Sequence, residues 1–366
     1  MRHRTARLES LARALTPRDV QILQELNISR YLVLSQIQDL YFADVTADRC
    51  SQRLRELCER GILGRVRHCE PGSTASKNYY HLTTVGVQVL AAAVPGTDVL
   101  YETEADIRIS PEFLPHVADV ASVRVGLQLR RWVSDLPDYV YQAGKRARIE
   151  WKEPLGRVER ITPDVIVTVP MPWPDVVWGY FIEIDEGTMT LGALKSKAER
   201  YARLLRAFDT RPDPARPWLR SRYATAIIAC RSDARRQRIR KMFEAAGFTD
   251  QPGHSRIWTY SSPSDVPYGI AGSVREGQRK FDEQEREHAE KAAAERQRKE
   301  QALRRAHDES RLAAERQRWT ATRDAWAHRE YQAQGLFKFK PVGHFKTEFE
   351  RRFPPPLRPA PVGERV

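Results

Sequence analysis

Between Ser273 and His328 the chain carries only five large apolar side chains, Phe281, Leu303, Leu312, Trp319 and Trp326, among Arg, Lys, Glu, Gln and Ala. Such a stretch cannot order itself by burying its own surface, because apolar burial is the main term offsetting lost chain entropy. The five positions sustain no heptad. The pattern predicts a long solvated helix held by Glu to Arg or Lys pairs one turn apart, with a partner-dependent coiled coil as the alternative. At roughly 1.5 Å per residue it would be about 80 Å long and mostly free of contacts with the rest of the chain. After Phe337, the prolines at 354–356, 359 and 361 predict an extended or disordered basic tail. The boundaries expected from composition are 263–336 for the charged helix and 337–366 for the tail.

What precedes these segments is long enough for two cores of ordinary size. Thr16-Pro17 forms a cap and first-turn pair, and Ile22, Leu23 and Leu26 give the helix that follows its buried face. Leu34, Ile37 and Leu40 mark a second helix; Thr46 caps a third, which turns Leu54 and Leu57 inward and ends at Gly61. Ile62 to Arg67 reads as a strand, Cys69 to Asn78 as a turn, Tyr79 to Leu82 as the returning strand, and Thr83 or Thr84 caps a closing helix. Three helices, a hairpin and a helix make a winged helix-turn-helix, expected over 16–105 behind a basic tail at 1–15.

A second unit is expected over 106–262. It opens with a helix carrying His116, Val120, Val123 and Leu127, followed by β-branched runs at Val165 to Val169, Val176 to Asp185 and Tyr223 to Ala229. Helical patterns at Leu191 to Phe208 and Asp233 to Ala246 separate the later strands, and Arg256 to Tyr260 is a last short strand. The fold class is α+β and multidomain: a winged helix-turn-helix, a mixed α/β layer and a long C-terminal charged helix.

Sixty-one Lys and Arg against 48 Asp and Glu leave a net charge of +13, which favours a polyanionic partner, nucleic acid ahead of a membrane surface. No apolar run of about 18 residues is present and the segment MRHRTARLES lacks the apolar stretch of a signal peptide, so a cytoplasmic protein is expected. Cys50, Cys58, Cys69 and Cys230 have neither disulfide nor zinc-site spacing and read as reduced packing thiols. The nine histidines include no His-hydrophobe-His pair, which disfavours a relaxase built on that metal site, and no phosphate-binding Gly-x-x-x-x-Gly-Lys loop appears, which excludes ATP hydrolysis by that device.

In a winged helix-turn-helix the third helix enters the major groove. Here it offers Arg49, Gln52, Arg53 and Arg55, residue types that make bidentate base contacts, with Lys77 of the wing poised for phosphate. The alternative is a solvated face on a protein-binding module, since this region is only slightly positive. Arg235, Arg236, Arg238, Arg240 and Lys241 form the densest basic cluster of the folded part, again either solvated or in contact with phosphate.

The segment 162–165 reads Thr-Pro-Asp-Val and 181–188 reads Phe-Ile-Glu-Ile-Asp-Glu-Gly-Thr. Side chains alternate along a strand, so Glu183 and Asp185 share one face while Ile182 and Ile184 take the other. With Asp164 from the preceding strand they supply the oxygen ligands that Mg²⁺ or Mn²⁺ prefers; the alternative is a set of acids at a solvated strand end. Gly187 permits a tight turn, and Thr188 or Thr190 caps the next helix. There Leu194, Tyr201 and Leu205 form the buried stripe and Lys197 stands at its margin, able to bring an ammonium to the carboxylates. His116, at the start of an apolar helix, reads as a packing or capping residue or as a catalytic one.

Pro163-Asp164, Glu183-x-Asp185 and a nearby lysine resemble the PD-(D/E)xK nuclease superfamily, with Asp185 standing where the usual motif has its lysine. Some members carry that lysine on the following helix, which here is Lys197. The whole order over roughly 16–262 is similar to the replication-relaxation family of actinobacterial plasmids and related mobile elements. The resemblance implies work in plasmid or phage replication or transfer. It leads to a double-stranded DNA-binding protein with a metal-dependent endonuclease or nickase centre in which Asp164, Glu183 and Asp185 hold the metal and Lys197 assists. The rival is a non-catalytic replication initiator or transcriptional regulator whose nuclease-like domain only grips DNA or a partner. A third reading docks replication or transfer proteins on the long helix, and a homodimer is left open.

Overall fold

The computed structural model describes residues 2–69, 75–101, 103, 106, 108–153, 156–187, 189–249, 254–333 and 341–356. The chain divides into two compact units, Met1–Phe281 and Asp282–Val366.

In the first unit, the segment expected as a basic tail is a helix, α1 (Arg2–Arg13). Leu8, Leu11 and Leu15 recur at helical spacing and pack on the neighbouring core, a stripe outweighed by the arginines in a reading by charge. α2 (Pro17–Ser29) begins with a reciprocal cap: the Asp19 carboxylate accepts from the Thr16 N–H at 2.7 Å, and the Thr16 hydroxyl accepts from the Asp19 N–H at 3.2 Å. A two-residue strand, β1 (Leu32–Val33), leads into α3 (Leu34–Tyr41), and α4 (Ala47–Glu59) follows. β2 (Leu63–Cys69) and β3 (Ser76–Leu82) pair antiparallel from Leu63↔Leu82 to Cys69↔Ser76, and β1 completes a three-stranded sheet of order β1-β3-β2. The hairpin is longer than its apolar residues suggested, because ladder hydrogen bonds continue through the polar residues of the wing; residues 70–74 of the expected turn lie outside the described residues. α5 (Thr84–Ala93), capped by Thr83, closes the winged helix-turn-helix.

α6 (Leu114–Trp132) belongs to two cores at once. Ala121 and Val125 pack with Ile22, Leu26 and Leu54 of the winged helix, whereas Val123 and Leu127 pack under a five-stranded sheet. Gln36 reinforces the first contact by donating to the Ala118 carbonyl at 2.8 Å and the Ser122 hydroxyl at 2.9 Å. Arg124 reaches the buried Glu25 at 3.1 Å.

The sheet is mixed. β4 (Val140–Ala143) and β7 (Val165–Pro170) are antiparallel, as are β7 and β8 (Val177–Ile184). β8, β9 (Ala224–Ala229) and β10 (Arg256–Tyr260) are parallel, giving the order β10-β9-β8-β7-β4. Between β4 and β7 lies a separate hairpin of β5 (Ile149–Lys152) and β6 (Val158–Ile161). The crossover helices α7 (Leu191–Thr210) and α8 (Asp233–Ala245) cover one face, where Tyr201, Leu205, Ile239 and Phe243 meet Phe181 and Ile228. α6 and the start of α9 (Val266–Ala333) cover the other.

α9 starts within the expected 263–336, but its first turns are core rather than solvated: Val266, Ile270, Ala271 and Val274 are buried, and Phe281 meets the Trp173 ring edge-on at 5.7 Å. From Asp282 it is almost wholly exposed up to the tryptophans. The expected extended tail is overturned in part, because α10 (Val342–Arg352) forms within the second unit. Phe345 and Phe349, four residues apart, find Trp326 and Trp319 of α9, and the Trp319 indole donates to the Phe353 carbonyl at 2.8 Å. The prolines at 359 and 361 lie outside the described residues. No helix among the described residues is long and apolar enough to cross a membrane, and the four cysteines are free thiols.

Candidate active site

The end of the sheet where β8 finishes gathers the predicted acids. β8 alternates as expected, with Phe181, Glu183 and Asp185 towards α7 and α8 and Ile182 and Ile184 towards the opposite core. Asp164 immediately precedes β7, and because Val165 pairs with Ile182, one further antiparallel step sets Asp164 opposite Glu183. The Asp164 carboxylate accepts the Ile184 N–H at 2.7 Å. After β8, Gly187 turns the chain at φ +88°, a left-handed conformation that costs glycine little, and Thr190 caps α7 through the Ala193 N–H. Thr188, the other candidate cap, lies outside the described residues.

α7 then brings Lys197 and Tyr201, one turn apart, onto Glu183. The Lys197 ammonium donates to one carboxylate oxygen and the Tyr201 hydroxyl to the other. Glu183 is only 5% exposed. Burial pushes its carboxyl up to about 7; Lys197 and the Tyr201 hydrogen bond oppose that shift, while the charge of Asp164 adds to it. For Asp164 burial acts upward too, but the hydrogen bond and charge of His116, the Lys197 charge and the Ile184 N–H outweigh it and hold the carboxyl below its usual range. His116, on the first turn of α6, stands 3.4 Å from Asp164 and 3.9 Å from Glu186. Its hydrogen bond to Asp164 raises the imidazole pKa against the effect of burial. Asp164, Glu183 and Lys197 are thus brought together, with His116 and Tyr201 as additional members. Tyr201 stands on the apolar stripe and also completes the Lys-x-x-x-Tyr spacing with Lys197, and it is the hydroxyl at the end of that ring that serves Glu183.

Asp185 is diverted. Arg235, in the first turn of α8, grips both its oxygens and also donates to the Met189 carbonyl. Burial works to raise the Asp185 carboxyl, and the Arg235 hydrogen bond and charge overcome it and hold it low. The three-carboxylate arrangement expected for the metal does not form: among the described residues no three His, Cys, Asp or Glu side chains come together as a metal site. Of the three expected ligands, Asp164 and Glu183 stand opposite one another, whereas Asp185 is paired with Arg235. Beside them a cleft of about 430 Å³ opens at the carboxyl ends of β8 and β9, lined by Asp119, Asp185, Glu186, Cys230, Arg231 and Arg235.

Residues 23–214, just over half of the chain, match the replication-relaxation family. The chain belongs to the replication-relaxation family. Membership ties it to the replication or relaxation of mobile elements, and the matched residues run from the winged helix through the carboxylate centre and all of α7. No match is found among curated proteins or solved structures.

The expected DNA contacts divide into two groups. Arg49, Gln52 and Arg55 stand exposed on α4, and Lys77 is exposed on the wing. Arg53 is not available in the same way. Its guanidinium binds the buried Asp19 through Nε at 2.9 Å and Glu56 through Nη1 at 2.6 Å, tying α4 to the cap of α2. Spacing placed Arg53 beside Arg49 but could not show that a buried acid 34 residues earlier claims it. Of the α8 cluster, Arg235 is spent on Asp185 and Arg236 on Asp233 and the Cys230 carbonyl, whereas Arg238 stays exposed.

Proposed function

We propose that this replication-relaxation protein binds double-stranded DNA of a plasmid or related mobile element through its winged helix and cuts or nicks a strand at the centre formed by Asp164, Glu183 and Lys197. The observation that carries the reading is the buried Glu183, set opposite Asp164 and held by Lys197 and Tyr201. A structural role does not call for it, since a well-packed apolar group at that position would avoid the cost of desolvating a carboxylate. Mg²⁺ or Mn²⁺ suits two carboxylates, because such ions keep several waters and take further ligands from phosphate oxygens. Bound there, the ion would polarise the scissile phosphate and acidify a water. Lys197 would balance negative charge on the phosphoryl oxygens, and Tyr201 would hold Glu183 in register. Asp185, claimed by Arg235, would shape the cleft without ligating.

One observation favours the rival of a non-catalytic DNA-binding protein: each acid of the centre already has an internal donor or cation. The two readings part on supercoiled plasmid. The wild-type chain with Mg²⁺ or Mn²⁺ should yield nicked or linear product, and Asp164→Asn should lower the rate by about 100-fold or more while leaving duplex binding intact. Lys197→Ala should slow cleavage yet preserve the metal-induced rise in melting temperature. No cleavage and no metal-induced stabilisation of the wild type would leave the non-catalytic binder.

A further inference from the structure

Segment 191–245, which contains α7, β9 and α8, holds fifteen Lys and Arg against five Asp and Glu, accounting for ten of the chain's thirteen net positive charges. α9 holds the same number of cations against thirteen acids. There they are offset one turn away, as in Lys291–Glu287, Lys299–Glu295 and Arg304–Glu300. In the α7–α8 layer the exposed Lys195, Arg206, Arg211, Arg238 and Lys241 have no ion-pair partner among the described residues. The two helices turn their apolar sides to the same face of the sheet, so their opposite sides form one outward surface. Both helices also start at the strand ends that carry the carboxylate centre. α7, with 20 residues, is about 30 Å long, close to one turn of duplex.

We infer that the outer face of α7 and α8 is a second DNA-binding surface, which holds the phosphate backbone of duplex DNA without reading its sequence and leads it to the carboxylate centre. The inference rests on the reading of the protein as a DNA-processing one and locates most of its salt-dependent grip away from the winged helix. Uncompensated, exposed cations on a rigid layer fit a regular polyanion, since each phosphate contact releases a condensed counterion. Arg235 and Arg236 take no part, because their guanidinium groups are spent within the fold.

The test is binding of the full chain to a fluorescent mixed-sequence duplex, followed across salt concentrations. Replacing Arg206, Arg211, Arg238 and Lys241 together by Ala should reduce the slope of log K against log salt by about 0.9 for each phosphate no longer neutralised, roughly 3 to 4 in all. The melting temperature should hold, as the four side chains are exposed. Arg49→Ala with Arg55→Ala should change the slope by no more than about 2. A fourfold variant with wild-type slope would overturn the surface and leave the proposed function standing. A wild-type chain that binds no duplex would overturn that function and the surface with it. Phosphatidylserine vesicles form the control: dependence of vesicle binding on these four residues, with an unchanged DNA slope, would assign the face to a membrane and overturn the inference.

Discussion

The carboxylate end of the sheet and the exposed run of α9 are both built on ion pairs, and they use them differently. At the sheet Glu183 meets Lys197 and Asp185 meets Arg235, and at the winged helix Glu25 meets Arg124 and Asp19 meets Arg53, each of these pairs joining separate elements of the first unit. The acid in each is nearly closed to solvent. Along α9 each pair links residues one turn apart, with both side chains in water. A buried pair contributes little net stability when intact, but breaking it is costly because one charge is left desolvated. An exposed pair contributes a few tenths of a kcal/mol and is screened by salt. The difference is thus one of setting: the first set links separate elements through desolvated acids, and the second supports an exposed helix from within.

The largest effect should come from Arg124→Ala. Glu25 would be stranded where winged helix and sheet share α6, and Arg124 also covers the rings of Tyr139 and Tyr141. Denaturant unfolding should show a loss of about 3 to 5 kcal/mol. Replacing both partners, Glu25→Gln with Arg124→Met, should recover much of that loss, because no lone charge remains. A single-variant loss below about 1 kcal/mol would mean that this pair behaves like those of α9, and the contrast would fail.

Next in size is Glu183. Its carboxyl is raised from the ordinary 4.5 to about 7, so the folded chain binds this proton more tightly than the unfolded one. The stabilisation is fully present below about pH 4.5 and disappears as the pH rises through about 7, a change of about 3 kcal/mol. Glu183→Gln should remove this component, leaving a flatter profile of melting temperature between pH 5 and 8. A divalent ion held by Glu183 should flatten the wild-type profile in the same way, by favouring the ionised carboxylate. Unchanged pH dependence in the variant would show that Glu183 carries its charge at no cost.

The same division explains what the sequence disclosed. Local signals were legible: the Thr16 and Thr190 caps, the alternation of Glu183 and Asp185, the strand at Arg256 to Tyr260, and the one-turn pairing of α9. That Asp164, Glu183 and Lys197 lie near one another was legible because they stand on two strands and the helix that follows them in the chain, in the spacing of the motif they resemble. Contacts decided by tertiary packing were not. Nothing near Arg53 or Arg235 in sequence shows that Asp19 and Asp185 claim them. α10 went unseen because Phe345 and Phe349 gain meaning only against Trp319 and Trp326, across a break in composition. α1 was hidden by its own charge, although its leucines had the right spacing.

The smallest effect is expected on α9, where Lys299 stands four residues after Glu295 at 2.7 Å, with both side chains about two-thirds or more exposed. Lys299→Gln is the informative substitution, because Gln has nearly the same helix propensity as Lys, so the change removes the pair and little else. The expected loss is about 0.3 to 0.5 kcal/mol at low ionic strength, and less at 1 M salt, where the Debye length falls to about 3 Å. Circular dichroism of the full chain should therefore show the same helix content for variant and wild type at high salt, with at most a slight loss at low salt. Substituting Lys291, Lys299 and Arg304 together by Gln should add such losses nearly independently, because no side chain is shared among their pairs with Glu287, Glu295 and Glu300. A single substitution here that cost as much as Arg124→Ala would mean that a partner buries this stretch of helix, and its pairs would then belong with those of the sheet.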